Sequence, residues 1–196
     1  MTGYDPKADL QRYLQNARDA VVWKLDGASE YDVRRPLTPT GTNLLGLVKH
    51  LASVELGYFC DTFDRPSGIE LPWYAEGEDP NADLSATAEE TRQQLLDMYR
   101  SAWSLADATI AALPLDALGR VPWWPADRAE VTLHRVLIHM IAETARHAGH
   151  ADIVRELIDG SIGIRAENTN LPDVDEGYWP AYRERLEAVA QQFARD

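Results

Sequence analysis

Four long segments of the chain carry the start and stop signals of α-helices, and none carries the apolar and polar alternation that marks strands. The fold is therefore predicted to be almost entirely α-helical. A chain of 196 residues, of which 45% are hydrophobic, is the right size for one core. We predict one all-α domain over residues 1–196, an antiparallel four-helix bundle with long loops. The tail of residues 161–196 is expected to pack on the bundle.

Capping residues and helix breakers give the predicted helix boundaries. Asp5 followed by Pro6 is a favoured pair at a helix start, Thr87-Ala-Glu-Glu90 is a capping-box pattern, and Gly160 suits the position after a last turn. Four long helices are predicted over residues 5–25, 40–63, 87–113 and 130–159, with the second starting at Thr40 or Thr42, and a short amphipathic helix over residues 180–194.

Two long loops, residues 66–85 and 114–129, interrupt the helices. Loops of this length in a compact domain are commonly lids or binding loops. Each holds a pair of aromatic residues that either lines the mouth of a pocket or covers the end of the bundle, and these are Trp73, Tyr74, Trp123 and Trp124. The acidic run of residues 76–83 is expected to be a solvated loop.

Charge and composition narrow the classes of partner. A net charge of −13 opposes binding to nucleic acids and to anionic membranes, because both need basic side chains to meet phosphates. The first residues lack the apolar core of a signal peptide, and no apolar stretch approaches the roughly 18 residues of a membrane span. Cys60 is the only cysteine, so an intramolecular disulfide is excluded and Cys60 is expected to be a small buried hydrophobe. We expect a cytoplasmic protein.

The fourth predicted helix carries a carboxylate and an imidazole on its apolar face. At roughly 100° per residue, Glu143 and His147 lie about 40° apart, and Val136, Met140 and Val154 share that side of the helix. Directing such groups into a core costs several kcal/mol unless something compensates them. These two side chains therefore need a partner inside the domain.

His50, on the second predicted helix, is another inward-facing polar side chain that needs a partner. It faces inward beside Gly46 and Gly57, which leaves space for a bound group. One interpretation is structural: Glu143 and His147 form a buried ion pair, and His50 is a hydrogen-bonded core histidine. The other is a metal site, because two histidines and a glutamate with an open fourth position form a known catalytic zinc set. Three inward ligand-type residues on two helices favour the metal.

At these residues the chain resembles the DinB/YfiT-like superfamily of metal-binding four-helix bundles. Within it, the likeness is to the DUF664 branch, near the mycothiol-dependent maleylpyruvate isomerases and mycothiol S-transferases. Many members place three histidines at the metal, and Glu143 takes the position of one of them, as in the isomerase branch. The resemblance is carried by Leu44-Leu-Gly-Leu-Val-Lys-His50-Leu-Ala-Ser-Val-Glu55, Val121-Pro-Trp-Trp-Pro125 and Ala142-Glu-Thr-Ala-Arg-His147-Ala-Gly-His150.

The resemblance implies a divalent metal, most simply zinc, held by His50, Glu143 and His147. It further implies a transferase or isomerase that uses a low-molecular-weight thiol such as mycothiol and an electrophilic substrate, and a possible homodimer. His150 is expected to orient a ligand or to move a proton. Two alternatives stay open: a metal-binding stress-related bundle without turnover, and an interaction domain with a buried polar network.

Several further side chains are candidates for binding the cofactor or the substrate. Trp123 and Trp124 are aromatic groups near the expected metal, and Arg146 offers a guanidinium on the same helix as Glu143. Arg146 and Arg155 are candidates for receiving a substrate carboxylate, although Arg155 beside Glu156 is also typical of a surface ion pair.

Overall fold

The computed structural model describes residues 5–194, which form six α-helices and one two-stranded antiparallel sheet. The helices are α1 Pro6–Trp23, α2 Glu30–Arg34, α3 Leu44–Phe59, α4 Arg92–Ala112, α5 Leu133–Asp159 and α6 Tyr178–Gln191. The strands are β1 Leu118–Arg120 and β2 Glu130–Thr132, and short 3₁₀ turns cover Asp61–Phe63, Pro72–Tyr74 and Ala82–Leu84. The prediction of a mostly helical chain is confirmed.

The first long helix begins, and the fourth long helix ends, where the capping residues predicted. The Asp5 side chain accepts hydrogen bonds from the backbone N–H groups of Lys7 and Ala8, which would otherwise lack partners at the start of α1. Gly160 follows α5 in the left-handed conformation, with φ of 78°. Both positions confirm the sequence prediction.

The third long helix starts four residues later than its capping box at Thr87 suggested. Glu90 accepts from the backbone N–H of Thr87, but its carboxylate also binds the buried ammonium of Lys49 at 2.9 Å. A second capping box, Thr91 with Gln94, lies one turn further on and opens α4. The prediction of Thr87 as the helix start was therefore wrong: the capping bond from Thr87 to Glu90 forms, but α4 opens only at the second box.

The remaining differences are short elements that the sequence pattern did not show. Residues 130–132 were predicted to be helical, but they pair with residues 118–120 as a hairpin of three-residue strands. Strands this short contain too few residues to display alternation. α3 begins after Asn43, whose side chain accepts from the N–H of Gly46 at 2.7 Å, rather than at Thr40 or Thr42.

Among the four long helices, α3 and α5 lie side by side. α3 packs against α4 and α5, α1 packs against α5, and α1 also touches α4. The buried apolar side chains between them include Leu51, Tyr99, Met140 and Val154. The contact between α3 and α5 matters most for function, because His50 lies on the first of these helices and Glu143 on the second.

The C-terminal segment leaves the helical core. The carbonyl of Gly163 accepts from the buried Lys24 ammonium, and Arg165 donates to Asn16 of α1. Every described residue from Asp175 to Ala194 is exposed, so packing of α6 on the bundle stays a prediction. Among the described residues, no helix combines the length and apolar character needed to cross a membrane.

Candidate metal centre

His50 of α3 and the pair Glu143 and His147 of α5 meet between the two helices. One ligand atom from each lies within 4.8 Å of the others. The Glu143 carboxylate oxygen Oε1 lies 3.4 Å from Nε2 of His50 and 3.0 Å from Nε2 of His147. Tetrahedral zinc bonds to nitrogen and oxygen at about 2.0–2.2 Å, and ligands around such an ion stand roughly this far apart.

Each histidine has a hydrogen-bonding partner on its other ring nitrogen. Nδ1 of His50 lies 2.6 Å from the Asp83 carboxylate, and Nδ1 of His147 lies 3.3 Å from Nδ1 of His150. With Nδ1–H donating to Asp83, Nε2 of His50 keeps its lone pair toward Glu143. Metal-binding histidines usually have such an outer partner, which fixes the tautomer and the ring orientation. The donor set and its outer partners therefore fit a divalent cation.

The charge states of Glu143 and His147 are those that a cation needs. Burial raises the pKa of Glu143, but the neighbouring rings of His147 and His50 outweigh it, so the pKa lies below its usual value. Burial lowers the pKa of His147, and the adjacent His50 lowers it further. Near neutral pH, Glu143 is a carboxylate and His147 is uncharged, and these are the forms that bind metal ions.

The loop of residues 66–85 covers one side of this centre and supplies Asp83. The Asn43 amide donates to the Leu84 carbonyl at 3.2 Å, which ties the loop to the start of α3. Tyr74 donates to the same Asp83 oxygen that faces His50, at 3.1 Å. Asp83 is only 7% exposed, so the prediction that the acidic run is wholly solvated was wrong at this residue.

The two glycines beside His50 lie in close contact with residues of the two long loops. A Cβ at Gly46 would overlap the backbone carbonyl of Leu84, so the Asp83 turn sits directly on α3 at this point. At Gly57 a Cβ would lie 2.7 Å from Cη2 of Trp123. The prediction that the glycines leave space for a bound group was therefore wrong at Gly46, where a backbone segment fills that space, whereas Gly57 lines the cavity beside Glu143.

A cavity of about 640 Å³ adjoins the centre, and Glu143 forms part of its wall. Its other lining side chains are mainly apolar and aromatic, and they include Val54, Tyr58, Leu71, Tyr74, Trp123 and His139. Pockets of this size and character are typical of small-molecule sites. The three converging residues thus lie beside a space that a substrate can enter.

Comparison with protein families adds a second, independent observation to this geometry. The family model described as mycothiol-S-transferase matches residues 9–160. The chain belongs to the mycothiol-S-transferase family. The match covers α1 to α5, so it includes His50, Asp83, Glu143 and His147, and it stops before α6. A comparison with curated proteins finds none that matches the chain.

The residues predicted to bind a cofactor do not all line the cavity beside the candidate metal centre. Trp123 lines the cavity, whereas Trp124 donates from Nε1 to the Tyr58 hydroxyl at 3.1 Å and packs edge-on against His139. Arg146 is exposed and lies outside the cavity lining. Its role in binding a cofactor stays a prediction without a supporting contact.

Arg155 and Cys60 are buried in the fold and lie outside the cavity lining. Arg155 is buried and donates to the carboxylate of Asp159 and to the backbone carbonyls of Lys24 and Asp26, so the alternative of a surface ion pair beside Glu156 was wrong. Cys60 is buried as predicted, and burial raises the pKa of its thiol to about 11.

Sequence reasoning did not single out Tyr58, Asp61 or Asp83 as parts of the candidate site. Tyr58 and Asp61 lie near the end of the second predicted helix, where nothing marks a cavity wall. Asp83 sits in a loop with other acidic residues, and its burial depends on how that loop folds onto α3. The only available signal was chemical: a metal-binding histidine needs an outer partner. Many carboxylates in the chain could have met that need.

Asp83→Asn should weaken metal binding by about tenfold, at the lower end of the 10–100-fold loss seen when outer partners are removed. The amide keeps the shape of the side chain but loses the negative charge that holds Nδ1–H of His50. The measurement is the metal dissociation constant, obtained by competition with a chelator of known affinity.

Glu76→Gln is the matched control for this prediction, because it removes a carboxylate from an exposed position in the same loop. Its metal affinity should equal that of the wild type. Unchanged affinity in Asp83→Asn, together with an unchanged melting temperature, would contradict the role given to Asp83.

Proposed function

We propose that this chain is a divalent-metal-dependent thiol S-transferase that uses mycothiol as the thiol cosubstrate. The observation that carries the proposal is the convergence of His50, Glu143 and His147 within 4.8 Å, beside an apolar cavity, in a mycothiol-S-transferase family member. Zinc suits two imidazoles and one carboxylate with a fourth position left for a substrate atom. An isomerase that uses the same thiol is the nearest variant.

The proposed chemistry needs no nucleophile from the protein. A divalent cation held by the three residues would lower the pKa of a bound thiol from about 8.5 and so supply a thiolate at neutral pH. In the transfer, the thiol sulfur forms a bond to an electrophilic carbon, the leaving group departs with the bonding electrons, and the thiol proton passes to solvent. Cys60 is buried with a raised pKa, which argues against a competing protein thiolate.

The chain's own residues position and shield the reacting groups. Asp83 holds the His50 ring and His150 contacts the outer nitrogen of His147, so both ligating nitrogens have fixed directions. Val54, Tyr58 and Trp123 line the cavity beside Glu143 and border one side of the centre with largely apolar surface. Electrostatic interactions are stronger in such a partly dry site than in water.

We also propose that α1, α3, α4 and α5 form the antiparallel four-helix bundle expected of this superfamily. The supporting observation is that these helices contact one another in a ring: α1 with α5, α5 with α3, α3 with α4, and α4 with α1. This arrangement leaves the metal centre between two adjacent members of the ring, α3 and α5.

The test is a conjugation assay on protein purified without a histidine tag. The metal content is measured first, and then mycothiol transfer to monochlorobimane is followed before chelation, after chelation and after addition of Zn²⁺. We expect turnover that disappears on chelation and returns with Zn²⁺. Turnover that resists complete removal of metal would contradict the mechanism. Stoichiometric metal without turnover would instead support a non-catalytic metal-binding protein.

A further inference from the structure

The cavity beside Glu143 is built mainly from apolar surface. Val54 and Tyr58 of α3 face it, together with Leu71 of the first long loop and Trp123 of the second. At about 640 Å³ the cavity has room for a molecule of ordinary ligand size. Apolar walls favour an apolar guest, because seating it there removes hydrophobic surface from water. A polar sugar-like thiol would lose hydrogen bonds to water in the same place.

The charged groups around this cavity are acidic. Asp61, which is exposed to solvent, and the half-buried Glu143 line it, and Asp83 stands behind His50. Within the described part of the chain, the lining contains no lysine or arginine. His139 also lines the cavity, and burial lowers its pKa, so the ring is uncharged near neutral pH.

The arginines nearest in sequence do not supply a positive charge to the lining. Arg155 is bound to Asp159 and to backbone carbonyls near the end of α1. Arg146 is exposed outside the lining. Arg135 is outside the lining and packs on Trp124, with its guanidinium carbon 5.2 Å from the ring centroid, although its charge contributes to the lowered pKa of His139.

Resting on the proposed thiol transfer, we propose that this cavity is the acceptor site and that it selects apolar electrophiles without negative charge. Glu143 and a bound thiolate would together balance the charge of a divalent cation, so Asp83 and Asp61 would remain as excess negative charge. An acceptor carboxylate would enter an apolar space with this charge beside it and no cationic partner in the lining. An acceptor such as benzyl chloride meets neither obstacle.

The reaction for this acceptor class is a substitution at carbon. With benzyl chloride, the thiol sulfur bonds to the benzylic carbon, the carbon–chlorine bond breaks, chloride leaves with the electron pair, and the thiol proton goes to the buffer. Isomerisation of a carboxylate substrate, by contrast, would require the cavity to accept an anion. The electrostatics of the lining therefore favour transfer over such an isomerisation.

The test compares benzyl chloride with 4-(chloromethyl)benzoate on the zinc-loaded protein with mycothiol. Each rate is divided by the uncatalysed rate of the same acceptor, so that intrinsic reactivity cancels. We expect the neutral acceptor to be preferred by about tenfold or more. A second readout needs no turnover: binding of benzyl alcohol and 4-(hydroxymethyl)benzoate by saturation-transfer NMR, where only the neutral probe should give a signal that Trp123→Ala weakens.

Asp61→Lys should move the preference toward the benzoate by about tenfold, because it replaces a negative group in the lining with a positive one. Asp116→Lys makes the same change in net charge at an exposed position outside the cavity and should leave the preference unchanged. An unchanged preference in Asp61→Lys would overturn the proposal, as would equal use of both acceptors by the wild type.

The outcomes separate this proposal from the proposed function. Binding of benzyl alcohol that depends on Trp123, without transfer to either acceptor, would overturn the transferase and support the apolar cavity as a binding site. Metal-dependent transfer that favours the benzoate would support the transferase and overturn the charge selection.

Discussion

His147→Ala loses its stoichiometric zinc, and with it thiol transfer, while the helical circular-dichroism signal remains close to that of the wild type. Of the candidate ligands in residues 5–194, the substitution leaves His50 and Glu143 to hold the cation. Four-ligand zinc sites bind with about 10–16 kcal/mol, so one ligand is worth roughly 3 kcal/mol, or about 100-fold in affinity. The measurement is zinc content by elemental analysis after dialysis, with activity measured on the same sample.

His134→Ala is the control for this result, because it removes a histidine from the exposed first turn of the same helix. It should keep both zinc and activity. Full zinc occupancy in His147→Ala, with the control also fully occupied, would contradict the ligand assignment.

Glu55→Ala lowers the free energy of unfolding by about 3–5 kcal/mol, the cost of leaving a buried charge without its partner. Glu55 of α3 and Arg18 of α1 form a fully buried ion pair. Burial raises the pKa of Glu55 to about 7 despite the adjacent guanidinium. Removing the carboxylate leaves the Arg18 guanidinium with Gln15 and the partly exposed Asp107 as its remaining partners. The measurement is urea unfolding followed by circular dichroism.

The double variant Arg18→Met with Glu55→Leu should recover most of that loss. Apolar residues of similar volume fill the space without the cost of burying two charges. The pair is also incompletely satisfied, since Nε of Arg18 and Oε2 of Glu55 are buried without a hydrogen-bond partner in the described part of the chain. A double variant as unstable as Glu55→Ala would contradict this explanation. Asp107→Ala, at a partly exposed position, should cost much less.

The parts of the fold that were predictable are those that depend on neighbouring residues. Asp5 and Gly160 marked helix ends correctly, because a cap satisfies the backbone of its own helix. The helix start at Thr87 was mispredicted, because the same local pattern recurs at Thr91, where α4 opens, and Glu90 pairs with Lys49, which is distant in the sequence. The short hairpin at residues 118–132 was also missed, since its pairing depends on contacts across a loop.

The same division holds for the candidate site. Helical periodicity placed Glu143 and His147 on one face of α5, and the inward direction of His50 followed in the same way. The outer partner of His50 was beyond such reasoning, because Asp83 reaches the ring only when the loop folds back over Gly46. The acidic character of the cavity was equally hidden, since Asp61 and Glu143 belong to different helical regions that only the tertiary fold brings together.

The most direct test of the account is the absorption spectrum of the cobalt-substituted protein before and after addition of mycothiol. A thiolate bound to Co²⁺ gives a sulfur-to-metal charge-transfer band, and Cys60 is buried outside the candidate metal set, so a new band must come from the added thiol. We expect the band to appear in the wild type and to be absent from His147→Ala. A cobalt-loaded wild-type protein whose spectrum does not respond to mycothiol would contradict thiol activation at this centre.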